Sequence, residues 1–348
     1  IRDRFSGKRL LEKPLDSFVN NPNINFPVCL CWANENWTRR WDGLDHDILI
    51  GQEHSYENDQ KFIVDLVPYL KHRNYICING RPLVVIYRAE LMKDPKATLA
   101  YWREHCRNQG VGEPLFVAVE AFGVTNPEKL GFDAGLEFPP LNRPYTGINE
   151  HISFYNPDYA GVVYDYRDMV IENVQPLKRQ GVTFRGVTPG WDNEARKPGK
   201  GFSFIHSTPT FYQRWLEHVS LEQTRKFPQE ERLIFINAWN EWAEGAHLAP
   251  DRKFGYGYLQ ATRDALENVA LLHFQNAKGS VVENPVRKNE NAVVIHAYYL
   301  EMLEKIRDYL DHIGCKLDVY ISTPKQDEKS LKTIFGLFPE AYLMIVPN

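Results

Sequence analysis

Cysteine is scarce in this chain: Cys29, Cys31, Cys77, Cys106 and Cys315 are the only five in 348 residues, and no CxxC pair occurs among them. The odd number and wide spacing argue against a disulfide framework or a paired-thiol zinc site and suit a reducing compartment, so a cytoplasmic location is expected. Long apolar runs are absent as well: none approaches the roughly 18 residues that span a bilayer, so this stretch holds no transmembrane segment. Charge of one sign is nearly balanced, with a net value of −4, which gives no general attraction to nucleic acid or anionic lipid. A G-x-S-x-G elbow and a P-loop are lacking, which removes two common enzyme classes. His54, His72, His105, His151 and His247 show no HxxxH or HxH spacing, so no His-rich metal site is expected.

Aromatic residues are plentiful, at 13% with eight Trp and eighteen Tyr. They can fill a core, and they also offer the stacking faces and polar tips that sugar rings favour. The chain begins at Ile1 with no Met or leader and stops just after an apolar run, so both ends read as cut and the lack of a signal peptide carries little weight.

Short β-branched runs alternate with helical periodicity, the pattern of parallel strands joined by crossover helices. Strands are predicted over 28–32, 83–87, 115–119, 134–136, 186–188 and 233–237, with helices over 59–71, 96–109 (closed by Gly110) and 258–276. Most strand ends carry acidic, amide or aromatic residues: Trp32, Asn34, Glu35 and Trp37 at the first, Glu120 at the third, Glu137 at the fourth, Trp191, Asp192 and Asn193 at the fifth, Trp239, Asn240 and Glu241 at the sixth. Chemistry collected at the C-terminal ends of strands is the habit of (β/α) barrels. Six strands do not close an eight-stranded barrel, so either two precede Ile1 or the sheet is open and doubly wound. Residues 142–176 read as an irregular insertion over the mouth. A linker over 281–290 separates this first unit, 1–280, from a second over 291–348. There, strands over 293–296, 317–321 and 342–346 and helices over 301–313 and 328–338 read as the start of a Rossmann-like unit without a GxGxxG fingerprint.

Glu241 and Glu244 are the candidate catalytic pair. Three residues apart in extended chain they would lie about 10 Å apart on opposite faces, whereas one helical turn brings their Cβ atoms to roughly 5–6 Å. The chain must therefore turn after Asn240, and Gly245 permits a bend. Trp239 and Trp242 would wall the site, and His247 is a further substrate contact; two solvated loop glutamates are the alternative. At the first strand end, Arg39 and Arg40 either bind phosphate or carboxylate or pair structurally with Asp42, and Glu35 either binds a sugar hydroxyl or orients Arg39. Asp45-His46-Asp47 matches an Asp-x-Asp metal pattern only weakly.

Two segments, Cys29-Leu30-Cys31-Trp32-Ala33-Asn34-Glu35-Asn36-Trp37-Thr38-Arg39-Arg40-Trp41-Asp42-Gly43 and Asn237-Ala238-Trp239-Asn240-Glu241-Trp242-Ala243-Glu244-Gly245, resemble the WbsX-type glycosyltransferases, also called glycoside hydrolase family 99-like proteins. The resemblance covers about residues 1–275. It implies a (β/α)8 TIM-type barrel whose first two units precede Ile1, while the chain from about Asn291 resembles the start of a rhamnan synthesis protein F domain. Both point to bacterial surface polysaccharide such as O-antigen or lipopolysaccharide, with an oligosaccharide or polysaccharide as substrate and neither metal nor cofactor. In the family 99 endo-α-mannosidases the matching motif carries retaining carboxylate chemistry through a 1,2-anhydro sugar. Carried over, Glu241 is the base at the sugar 2-hydroxyl and Glu244 the acid at the departing oxygen. Ala249-Pro250 departs from the family, where an acidic residue before the proline is common. Two other readings stay open: a nucleotide-sugar-dependent transferase using Asp45 or Asp47 with Arg39 or Arg40, and a non-catalytic glycan-binding barrel.

Overall fold

The computed structural model describes residues 3–5, 8–39, 44–175, 181–277, 289–324, 327–339 and 341–346. Two compact units divide it, Ile1–Ala265 and Leu266–Asn348.

The first unit is built on a curled sheet of six parallel strands, β1 (Leu30–Trp32), β2 (Arg81–Ile86), β3 (Leu115–Glu120), β4 (Ala134–Glu137), β5 (Thr183–Val187) and β6 (Ile234–Ile236), lying side by side in chain order. A short strand, Cys77–Ile78, pairs antiparallel with β2. These are the six strands read from the apolar runs. The fifth differs: it starts at Thr183 and not at Gly186, because Arg185 interrupts the apolar pattern and is tolerated inside the strand only through its buried partners, described below.

Alternation along the strands decides what each face does. Leu30, Trp32, Val84, Ile86, Phe116 and Ala118 point to the helix side and join Phe62, Ile63 and Leu66 of α1 (Tyr56–Leu70) and Leu99 and Trp102 of α2 (Pro95–Asn108) in one core. Val187 of β5 does the same with Tyr166 and Met169 of α3 (Tyr166–Val174) and Tyr212 and Trp215 of α4 (Pro209–Lys226). The opposite face carries Val85, Val117, Val119, Ala134, Leu136 and Phe184, a cluster to which these helices contribute nothing. Helices on one face only is the winding of a barrel, not of a doubly wound sheet.

Three of these helices, α1, α2 and α4, start where a side chain accepts a first-turn N–H: Ser55 from Asn58, Asp94 from Ala97 ahead of Pro95, Thr208 from Phe211 ahead of Pro209. Asp165 caps α3, so the expected irregular insertion over 142–176 contains a strand, Val162–Asp165, and this helix. Val162–Asp165 pairs in parallel with Phe202–Ile205 as a small second sheet. Hydrogen bonds from Arg167, aided by His206 at 3.0 Å, pull the Asp165 carboxyl down to about 2 from an ordinary 3.8. A carboxylate with a depressed folded value contributes stability that is full above 3.8 and is lost as pH falls through about 2. Asp165→Asn keeps an equally good cap but loses the charge that Arg167 and His206 meet, both about half exposed, which should cost about 1 kcal/mol at neutral pH; its gap from the native melting temperature should close as pH falls through that window.

The second unit has a three-stranded parallel sheet, Asn291–His296, Leu317–Thr323 and Tyr342–Ile345, in chain order, with helices Leu303–Asp311 and Glu328–Leu337. Ile295, Leu303, Val319, Ile321, Ile334 and Phe338 form its core. Of the expected linker, 281–288 lies outside the described residues. No helix among the described residues is long and apolar enough to cross a membrane.

Candidate active site

After β6 the chain folds back on itself within a few residues. Asn240–Glu241 pairs antiparallel with Ala246–His247, Asn240 opposite His247 and Glu241 opposite Ala246, and a single 3-10 turn, Trp242–Glu244, joins them. The turn closes through Gly245 at φ +60, where an added Cβ would lie 2.8 Å from the Asp192 backbone nitrogen. Gly245 is thus required twice, for its left-handed backbone and for its contact with the neighbouring loop. That contact is also a hydrogen bond: Asp192 N–H donates to the Glu244 carbonyl at 2.7 Å. Gly245→Ala should destabilise the protein by more than about 1 kcal/mol, read as a lower melting temperature.

The turn brings both carboxylates to one guanidinium. Arg196 donates from Nη2 to Glu241 Oε1 at 3.0 Å and from Nη1 to Glu244 Oε1 at 2.7 Å. Glu241 stays 40% exposed and Glu244 21%, while Trp239 and Trp242 keep more than half of their surface open. Trp242 stacks on His247 with ring centroids 4.1 Å apart, and His247 Nδ1 lies 3.2 Å from the Ala249 carbonyl. Two acids, a guanidinium and open indoles in one place can hold hydroxyls while presenting an apolar face to a sugar ring.

Sequence reasoning did not find Arg196. It is aimed by the loop after β5, which closes on itself: Asn193 Oδ1 accepts from Phe202 N–H at 2.8 Å, Glu194 takes Gly201 N–H at 3.1 Å and also Gly199 N–H, and Asp192 Oδ1 accepts from Ser203 Oγ at 2.9 Å. The acid and amide run Asp192-Asn193-Glu194 ahead of Gly199 and Gly201 was the available signal.

Not every predicted site residue joins this cluster. Asp192, Trp239, Asn240, Trp242 and His247 belong to the hairpin or its neighbouring loop. Trp191 is 4% exposed and stacks on Phe202, and Trp32 is 5% exposed and stacks on Phe62 at 4.1 Å; both are core residues. Glu120 and Glu137 also lie apart from the hairpin, buried at 4% and 1% exposure. Because Val119 and Leu136 face away from the helices, the next residue in each strand must face toward them. Glu137 is fully buried against Arg185 Nε at 2.7 Å, and Arg185 also pairs with Glu222 of α4. Glu120 accepts from Thr183 Oγ1 at 3.4 Å.

The residues after β1 form a separate group. Asn34 is fully buried and exchanges two 2.8 Å hydrogen bonds with the backbone of Arg88, tying the ends of β1 and β2 together. Glu35 pairs with Arg88 at 2.8 Å. Trp37 and Arg39 lie on a strand paired with Leu44–Ile50, where Arg39 meets Asp47 at 3.3 Å, both well exposed. Arg40 and Asp42 lie outside the described residues, as does the side chain of Asp45. Among the described residues no group of three or more His, Cys, Asp or Glu is placed to hold a metal ion.

Two strains of Xanthomonas campestris pv. campestris each have a protein named WxcX that is 39% identical to this chain over 319 residues, covering 92% of the chain and 44% of the relative. The chain thus spans less than half the length of these curated relatives. Among solved structures, it is similar to a glycoside hydrolase-like protein (14% identity, TM-score 0.42, 60% of this chain and 61% of that one). It is also similar to the GH99 endo-α-mannosidase from Bacteroides thetaiotaomicron (16% identity, TM-score 0.38, 64% and 63%). The model of the WbsX glycosyltransferase family matches residues 4–262, which takes in the whole parallel sheet and the Glu241–Glu244 hairpin; the chain belongs to that family.

Proposed function

We propose that this chain acts on α-linked, mannose-like glycans through Glu241 and Glu244, within bacterial cell-surface polysaccharide metabolism, with its first compact unit forming part of a TIM-type barrel. The observation that carries the reading is the pair of carboxylates on one tight hairpin, bridged by Arg196 and flanked by two open tryptophans. A sugar hydroxyl approaching either acid competes with Arg196 for it, so the guanidinium is a ready placeholder for the reacting groups. Glu241, the more exposed acid, takes the proton of the sugar 2-hydroxyl as that oxygen closes on the anomeric carbon, and returns it when the acceptor opens the three-membered ring. Glu244, the more enclosed, protonates the departing oxygen and then activates the incoming acceptor. With water as that acceptor the reaction is hydrolysis, and with a sugar hydroxyl it is transfer.

A second reading rests on the name of the family: a nucleotide-sugar-dependent glycosyltransferase of polysaccharide assembly, using Asp47 for a metal and Arg39 for phosphate. It requires the Arg39–Asp47 pair to open. Incubation with α-mannosyl and rhamnosyl oligosaccharides, and separately with nucleotide sugars with and without divalent metal, distinguishes the two. Metal-independent release of sugar that needs both glutamates supports the first reading. Metal-dependent nucleotide release indifferent to both overturns it.

A further inference from the structure

Elsewhere on the rim formed by the strand ends, the chain leaves β3 through Ala121-Phe122-Gly123-Val124. Val124 N–H donates to the Ala121 carbonyl at 3.0 Å, and the two central residues have φ +54 and +88. This is the primed type of tight turn, whose first central position favours Asn, Asp or Gly. An aromatic residue there is strained, and Phe122 still leaves 40% of its surface exposed. Turn formation would be served better by another residue, which leaves the open part of the ring to be explained.

The surroundings of the ring are built, not incidental. Tyr87 meets it at right angles, 5.4 Å between centroids, and Tyr87 in turn meets Phe138 at 5.5 Å. The Arg88 guanidinium lies 4.0 Å from the Phe122 centroid and is held by Glu35 at 2.8 Å and by Glu90. The ends of β1, β2, β3 and β4 thus combine into an aromatic cluster in which the Arg88 guanidinium covers one face of Phe122, two carboxylates hold the guanidinium, and the rest of the ring stays open. Apolar ring faces beside convergent charged donors and acceptors suit a polyhydroxylated ring, whose C–H face stacks while its hydroxyls bond at the edge.

Along the sheet, β3 stands three strands from β6, about 14 Å at the usual strand spacing. A ring on Phe122 is therefore not the ring that reacts between Glu241 and Glu244. We propose that Phe122 and Arg88, with Glu35, form a distal sugar subsite, so that the protein selects an extended glycan over a short one. This rests on the glycan-acting reading above, and it is independent of whether the glutamates catalyse.

The test uses the Glu241→Gln protein, to hold ligand without turnover, titrated calorimetrically with α-linked manno- and rhamno-oligosaccharides of increasing length. Affinity is expected to rise about tenfold or more once the chain is long enough to reach the cluster. Adding Phe122→Asn, a residue that suits the turn and should keep or raise the melting temperature, removes that gain, whereas Phe122→Trp retains it. A length dependence unchanged by Phe122→Asn, or no binding at any length, overturns the subsite. Turnover by the unsubstituted protein is followed in parallel. Glutamate-dependent turnover with no effect of Phe122→Asn on binding sinks the subsite alone. Length-dependent binding lost in Phe122→Asn, without glutamate-dependent turnover, sinks the proposed catalysis alone.

Discussion

Glu241→Gln and Glu244→Gln should each lower turnover of an α-mannosyl oligosaccharide by about 10²–10⁴, the usual worth of a positioned proton-transfer group. Melting temperatures should barely move, because both side chains are partly open and each variant keeps a hydrogen-bonding amide for Arg196. The two losses should differ in kind. An aryl glycoside whose leaving group departs without protonation needs no general acid, so it should restore much of the rate to Glu244→Gln and little to Glu241→Gln. Reversal of that pattern would exchange the two roles. Equal indifference of both variants would remove the pair from the chemistry.

Arg185→Met should destabilise the first unit by about 3–5 kcal/mol, the cost of leaving a buried charge without its partner. Glu137 is fully buried, and its contact with Arg185 is the short one; Arg143 stands off at 3.6 Å. Glu222 would suffer less, since it also pairs with Lys226 at the helix surface. Replacing both members, Arg185→Met with Glu137→Leu, should recover most of the loss, because an apolar pair of similar volume needs no compensation. Chemical denaturation of the two variants measures this, and a double variant no more stable than the single one would mean that Glu137 has a role beyond neutralising Arg185.

The six strands were legible because each is a short apolar run with turn residues on either side, and the Glu241–Glu244 turn was legible because two acids three apart next to a glycine can share a site only if the chain bends. Facing was harder. Glu120, Glu137 and Trp32 all sit at strand ends, and counting ends treats them alike, yet one step of alternation separates the rim from the helix layer. The start of β5 was hidden for a related reason: an arginine reads as the end of an apolar run unless the acids that neutralise it, 48 and 37 residues away, are known. Arg196 could not be separated from Arg39 or Lys197 by local pattern. Its role comes from a loop whose closure depends on Phe202, Gly199 and Gly201, contacts that only the folded chain supplies.

The acids and their guanidinium come from successive β/α segments, with Arg196 preceding Glu241 by 45 residues and Glu244 by 48. At the ordinary pace of ribosomal synthesis, about 5–20 residues per second, the arginine waits roughly 2–10 s for the glutamates. β1 to β5 can pair during that interval, and the last strand arrives carrying the acids on its trailing hairpin. Assembly of the carboxylate pair is thus among the later events in the birth of this unit, and a ribosome stalled within α4 would not yet have made the hairpin that carries the acids.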